Sequence, residues 1–149
     1  MQLSPTAQAV DIPCTNPGPA NGETCMQITH FASQLRTTDL ERSIAFYTQC
    51  LGFRLAFRYA DFYAEVDLGG HLLHLKLIDA TDPSIDFVQQ GGHLHLHLTV
   101  DDIRGTLEQA FEHRIEIVEG ISARPWGMEE FIARDPDGHT LYFAEPLSA

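Results

Sequence analysis

Apolar and polar residues alternate strictly from His93 to Thr99, with Leu94, Leu96 and Leu98 on one parity and His93, His95, His97 and Thr99 on the other. A period of two belongs to a β-strand, so the spacing predicts a strand over 93–100 with one apolar face and one imidazole face. The same alternation predicts a strand over 28–37, with Phe31, Ser33, Leu35 and Thr37 on one side and His30, Ala32, Gln34 and Arg36 on the other. The period then becomes helical: Leu40, Ile44, Tyr47 and Leu51 recur at three and four residues. Thr38-Asp39-Leu40-Glu41 has the form of a capping box at the start of that helix, and Gly52 supplies a stop. Strand-like runs follow over 53–59, 63–68 and 71–78, the last two joined by Gly69-Gly70.

The second half repeats the order. After the strand over 93–100, Asp101-Asp102 caps a helix over 103–113 with Ile103, Leu107, Ala110 and Phe111 inward. Strands follow over 115–119, 129–134 and 139–144, with Asp135-Pro136-Asp137-Gly138 turning before the last. Gly70-His71-Leu72-Leu73-His74-Leu75 echoes Gly138-His139-Thr140-Leu141-Tyr142-Phe143, and Leu35…Asp39-Leu40 echoes Leu98…Asp102-Ile103. These echoes set Ala32 against His95 and His74 against Tyr142. Each half therefore reads as βαβββ, with its helix on one face of a sheet and the other face bare, so two such modules must pair. The predicted fold is α+β, two paired βαβββ modules forming a curved mixed sheet around a cup, with helices on the outer face. The modules span 27–79 and 93–149, joined by a linker over 80–92 that holds Pro83 and Gly91-Gly92. Residues 1–26, rich in Pro, Gly, Asn and Thr, read as an arm without regular structure.

A length of 149 residues suits this organisation. The net charge of -12 argues against nucleic acid, whose phosphates demand cations. No apolar run approaches the roughly 20 residues a membrane span requires. Cys14, Cys25 and Cys50 form no disulfide framework, and the start lacks the basic and apolar regions of a secretory signal, so the expected location is cytoplasmic.

Leu35-Arg36-Thr37-Thr38-Asp39-Leu40-Glu41-Arg42-Ser43-Ile44-Ala45-Phe46-Tyr47 with Leu51-Gly52-Phe53, and Pro125-Trp126-Gly127-Met128-Glu129-Glu130-Phe131 with Asp135-Pro136-Asp137-Gly138-His139 and Leu141-Tyr142-Phe143, are the segments that matter next. Together they resemble the vicinal oxygen chelate superfamily, which includes glyoxalase I, extradiol dioxygenases and bleomycin-resistance proteins. The second segment is closest to the bleomycin-resistance branch. The resemblance covers about 27–146. In the metal-dependent members, the first and last strand of each module supply His, Gln or Glu ligands. Carried over, these positions are Ala32, His74, His95 and Tyr142. Alanine cannot ligate and tyrosine stands where a carboxylate is usual, so the resemblance implies no intact four-ligand site and assigns no metal residue.

The expected cup lining is polar and titratable: His30, Gln34, Arg36, His74, His95, His97 and Tyr142, with Trp126 in a Pro/Gly-flanked turn as either a stacking surface or an interface plug. Glu129 and Glu130 point to opposite faces and form no carboxylate pair, and His71 and His139 read as surface. The first functional reading is a homodimer that binds or sequesters an aromatic or anionic small molecule, with no cofactor assured. The alternative is a lyase or isomerase in which a divalent metal (Zn, Ni, Mn or Fe) sits on His74 and His95 with His30 or Tyr142. Catalysis stays open between them.

Overall fold

The computed structural model describes residues 29–79 and 81–148. In chain order the first half forms β1 (Ser33–Thr37), α1 (Leu40–Ala45), β2 (Arg54–Tyr59), β3 (Tyr63–Leu68) and β4 (His71–Leu77). The second forms β5 (Leu96–Thr99), α3 (Ile103–Glu112), β6 (Glu116–Arg124), β7 (Met128–Arg134) and β8 (Thr140–Pro146), with a short α2 (Ser84–Gln89) between the halves. Each half is a four-stranded mixed sheet, ordered β1-β4-β3-β2 and β5-β8-β7-β6. The pairings of β1 with β4 and of β5 with β8 are parallel and the others antiparallel. These are the βαβββ modules that the periodicity predicts.

The repeat holds in register: Ser33 pairs with Leu73 as Leu96 pairs with Leu141, and Leu35 with Leu75 as Leu98 with Phe143. Leu73 and Leu75 are buried while His74 between them is not, so strand parity sorts core from face as expected. One apolar core runs through both modules, with Ile44, Tyr47 and Leu75 from the first and Ile103, Phe131 and Phe143 from the second.

Several local expectations change. The arm over 1–26 lies outside the described residues. The segment over 80–92 is not a bare linker, because α2 buries Ile85 and Val88. Its Gln89 packs against Gly138, where an added Cβ would meet Gln89 Cγ at 3.3 Å and where φ is +97°. Only glycine fits that turn. Strand β5 begins at Leu96 rather than His93, its ladder with β8 starting at the Leu96–Leu141 pair. The first helix continues past Ala45 as a wide π turn over Phe46–Cys50 before Gly52 reverses the chain at φ +78°. Phe111, expected inward, is exposed.

The helix cap also differs, for a reason that organises the molecule. Asp39 rather than Thr38 caps α1, accepting from Arg42 N at 3.0 Å. Thr38 is claimed by the other module. The turn between β7 and β8 inserts two buried carboxylates into the β1–α1 corner. Asp137 accepts from the Thr37 hydroxyl (2.6 Å), from Thr38 N (2.9 Å) and hydroxyl (2.8 Å), and from Arg42 Nη2 (2.9 Å). Asp135 accepts from Tyr47 OH at 2.8 Å and, within its turn, from Asp137 N and His139 N at 2.9 Å each. His139, buried rather than on the surface as its position suggested, donates through Nε2 to the Arg36 carbonyl at 2.7 Å. A buried carboxylate is tolerated only when its lone pairs are filled, and here both are.

Removing the Asp137 acceptor strands the buried Thr37 hydroxyl and breaks the bonds to Thr38 and Arg42, so Asp137→Ala is expected to cost roughly 3 kcal/mol, at the scale of lost charge-assisted hydrogen bonds. A urea midpoint unchanged from wild type would show that the turn is not holding the modules together. Burial first, then the Asp135 charge and hydrogen bond, raise the Tyr47 phenol well above its ordinary 10.0. The unfolded chain thus loses that proton first. Stability attached to Tyr47 is intact below pH 10 and declines above it. Tyr47→Phe should flatten the alkaline limb of stability against pH while lowering stability at neutrality; a limb of equal steepness in both proteins would refute this.

Candidate functional site

The two sheet faces turned away from the helices carry two separate polar clusters. On the first sheet, β1, β3 and β4 bring Gln34, Tyr63, Glu65 and His74 together. Gln34 Nε2 donates to Tyr63 OH at 3.2 Å, and that hydroxyl lies 2.5 Å from His74 Nδ1. Glu65 sits across from His74 in register, with Oε2 2.9 Å from Nε2 but off hydrogen-bond geometry.

The second cluster is larger and centres on a carboxylate. Glu130 follows from parity: its neighbours Phe131 and Ala133 are fully committed to the core or its parity, so Glu130 and Ile132 face outward. Yet Glu130 is only 2% exposed. Trp126 and Arg124 cover it. Trp126 Nε1 donates to Oε1 at 2.9 Å, Arg124 Nε donates to Oε2 at 3.1 Å, and His97 Nε2 lies 3.5 Å from Oε1. Arg124 also donates to Glu119 at 2.9 Å, a contact served by the register shifts around Glu119 in β6. Burial alone would raise the Glu130 carboxyl, but the hydrogen bonds from Trp126, Arg124 and His97 and the Arg124 charge outweigh it and hold it below its ordinary 4.5.

Aromatic groups surround this carboxylate. Tyr142 pairs with His97 across β8 and β5, and their rings lie nearly parallel at 15° with centroids 6.4 Å apart. His95 meets Tyr142 edge-on at 5.6 Å. Trp126 is 66% exposed although its indole N–H is anchored, which leaves a fixed ring face open to solvent.

The residues expected to line one cup thus divide. Gln34 and His74 meet on the first sheet; His95, His97, Trp126 and Tyr142 meet on the second. No hydrogen bond or ion pair between described residues joins the two clusters. Arg36 leaves both, its Nε turned 3.9 Å from Asp82 ahead of α2. His30 is exposed and precedes β1. Glu130, Arg124, Tyr63 and Glu65 were not anticipated as a group. The parity of Glu130 was readable, because Phe131 had to face the core, but its cover by Trp126 depends on a reverse turn closed by Gly127 N to Arg124 O.

A profile of the Glyoxalase/Bleomycin resistance protein/Dioxygenase superfamily matches residues 27–143. The chain belongs to this superfamily. No curated protein matches it by sequence. Among solved structures, a glyoxalase/bleomycin resistance protein/dioxygenase from Alicyclobacillus acidocaldarius is 25% identical over 79% of this chain and 91% of its own, with a TM-score of 0.62. TioX from Micromonospora sp. ML1 is 22% identical over 80% and 100%, with a TM-score of 0.60. Lactoylglutathione lyase from Agrobacterium tumefaciens is 19% identical over 80% and 95%, with a TM-score of 0.62. The last two likenesses concern the fold alone.

Superfamily members often use a divalent metal, and the donor set here does not suit one within a single chain. Of the four ligand positions, Ala32 has no donor atom and Tyr142 packs on two imidazoles. His74 has Nδ1 engaged by Tyr63. No group of three His, Cys, Asp or Glu side chains with metal spacing occurs among the described residues. Nor is any helix among them long and apolar enough to cross a membrane.

With its carboxyl held low, Glu130 stays ionised in the folded chain at pH values where the unfolded chain takes a proton. Its contribution is therefore complete above about pH 4.5 and disappears as pH falls through the lower folded value. Glu130→Gln should lose less stability than wild type between pH 5 and pH 3, about 1 kcal/mol less at the scale of a charge-assisted hydrogen bond. Equal acid slopes in the two proteins would show that Glu130 is not held ionised by its neighbours.

Proposed function

We propose that this chain binds a planar aromatic small molecule, neutral or cationic, on the Trp126–Glu130–His97–Tyr142 face of its second sheet, as a binding or sequestering member of its superfamily. The observation that carries the reading is the anchored indole: Trp126 is tied to a buried carboxylate by its N–H while two thirds of the residue remains exposed. An exposed, immobilised ring is a stacking surface that a ligand need not order. The preference for neutral or cationic ligands rests on charge. Arg124 is already shared by Glu119 and Glu130, Arg36 faces Asp82, and the chain carries a net -12. These features favour an aromatic over an anionic ligand. His95 completes the face; His74 and Gln34 lie on the other sheet and serve the same ligand only through a second copy.

A homodimer is part of this reading. Support comes from β2, where every residue is exposed, including Leu55, Phe57 and Tyr59. The expected location is cytoplasmic.

Trp126 is the only tryptophan, so its emission reports directly on the face. Proflavine, planar and cationic, should quench it with micromolar affinity. Naphthalene-2-sulfonate should bind at least tenfold more weakly, and Glu130→Gln should narrow that difference. Absence of quenching by either would remove the proposal. Stoichiometric Zn, Ni, Mn or Fe in untagged protein, lost in His95→Ala and His74→Ala, would replace it with the metal-dependent reading.

A further inference from the structure

The repeat makes a clear demand of the second module. Each contact of the Asp135–His139 turn with the β1–α1 corner has an equivalent across the duplication, where the Asp67–His71 turn would meet the β5–α3 corner. Asp67 and His71 keep the residue types of Asp135 and His139, but their partners and the second carboxylate have changed. Asp137 corresponds to Gly69, Thr37 to Val100, Thr38 to Asp101, Arg42 to Gly105 and Tyr47 to Ala110. His71 and Thr99 correspond to the His139–Arg36 pair, yet no hydrogen bond joins them among the described residues. Asp67, the counterpart of Asp135, turns back to accept from its own Gly70 N at 2.7 Å. The second half of the inter-module contact is therefore unmade.

A cavity of about 690 Å³ lies at that place. Gly70 and His71 border it from one module, and Thr99, Val100 and Ala110 from the other. Leu73, Leu98 and Phe143 line it from the helix-facing side of the sheets, and His97 borders both this cavity and the Trp126 face. The cavity is open to solvent on one side, and its volume falls within the range of small-molecule pockets. No Asp, Glu, Lys or Arg lines it, although these make up 20% of the chain. Its polar side chains are the hydroxyls and amide of Ser33, Thr99, Thr106 and Gln109 and the imidazoles of His71 and His97.

We propose that this cavity is a second binding site, for an uncharged and mainly hydrocarbon small molecule, opened by the loss of the aromatic ring and the carboxylate that close its counterpart. The ligand enters between the Gly69–Gly70 turn and α3, with its hydrocarbon body against Leu73, Leu98 and Phe143 and any single polar group toward Thr99 and His71. A concave volume drawn from both modules suits a small molecule better than the surface of another protein, which would be met by a broad flat patch.

N-phenyl-1-naphthylamine, a neutral dye that fluoresces on leaving water, tests this on the whole 149-residue chain. Wild type should bind it in this cavity at one site per chain, apart from any binding at the Trp126 face. Ala110→Phe restores a ring where the first module has Tyr47; it should weaken the dye at least tenfold with an unchanged or raised Tm. Leu96→Trp, on the half-buried cavity wall, provides a second filled variant should Ala110→Phe fold poorly. Trp126→Ala should keep the one cavity site, and the dye should slow alkylation of Cys50, which borders the cavity. Four outcomes overturn the proposal: no fluorescence rise in wild type, equal binding in the filled variants, loss of binding in Trp126→Ala, or Cys50 already protected without dye in a protein that sediments as a dimer. The last would give the space to an interface between copies.

Discussion

The structure depends on two carboxylates carried across from one module to the other. Two βαβββ units could share a core through hydrophobic contact alone, but apolar packing is non-directional and would leave their relative orientation loosely specified. Asp135 and Asp137 remove that freedom. Their partners are fixed donors at the end of β1, the first turn of α1 and the π turn after it, so satisfying them sets one approach of module on module. Because unsatisfied buried carboxylates are so unfavourable, the wrong approach is excluded as firmly as the right one is favoured. The same demand explains the helix start, where Thr38 gives up its local capping role to serve the neighbouring turn.

The outward face of the second sheet follows a related logic on a smaller scale. Glu130 is buried by the side chains that it fixes. Trp126 and Arg124 cannot leave without exposing and unpairing it, and their positions in turn leave the indole face, His97 and Tyr142 on one aromatic surface. Both oxygens of Glu130 are occupied, so this carboxylate acts as an anchor for aromatic groups rather than as a free base. On the first sheet, the Tyr63 hydroxyl engages His74 Nδ1, which orients the imidazole before any ligand arrives.

The order of elements was legible in the sequence because it rests on periodicity and turn chemistry, which are local. Leu73, Leu75, Leu96 and Leu98 fell on the inner side by parity, and Gly52 and Gly69-Gly70 turned where their positive φ values allow. The histidine alternation marked a polar face, but only His97 of its three imidazoles lies within a strand, since the ladder with β8 starts at Leu96. What was not legible is what depends on distant partners. His139 looked like a turn residue on the surface, and only the Arg36 carbonyl, far away in sequence, explains its burial. Glu130 looked like half of a failed carboxylate pair because its partners come from a turn, a bulged strand and an imidazole on β5. The division of the expected cup residues between two sheets belongs to the same class, since parity assigns a residue to a face and cannot say which faces meet.

The contacts of the Asp135–His139 turn span 88 to 103 residues of chain. During synthesis, every residue of the first sheet is made before Asp135 and Asp137 exist, at a pace of roughly 5–20 residues per second. For several seconds, then, the β1–α1 corner holds its hydroxyls, amide and guanidinium toward water with no acceptor. The first half is a nascent intermediate with an open, donor-rich corner and half a core. Closure of that corner waits on the Asp135–His139 turn, whose Asp137 lies 95 residues beyond the Arg42 that it holds.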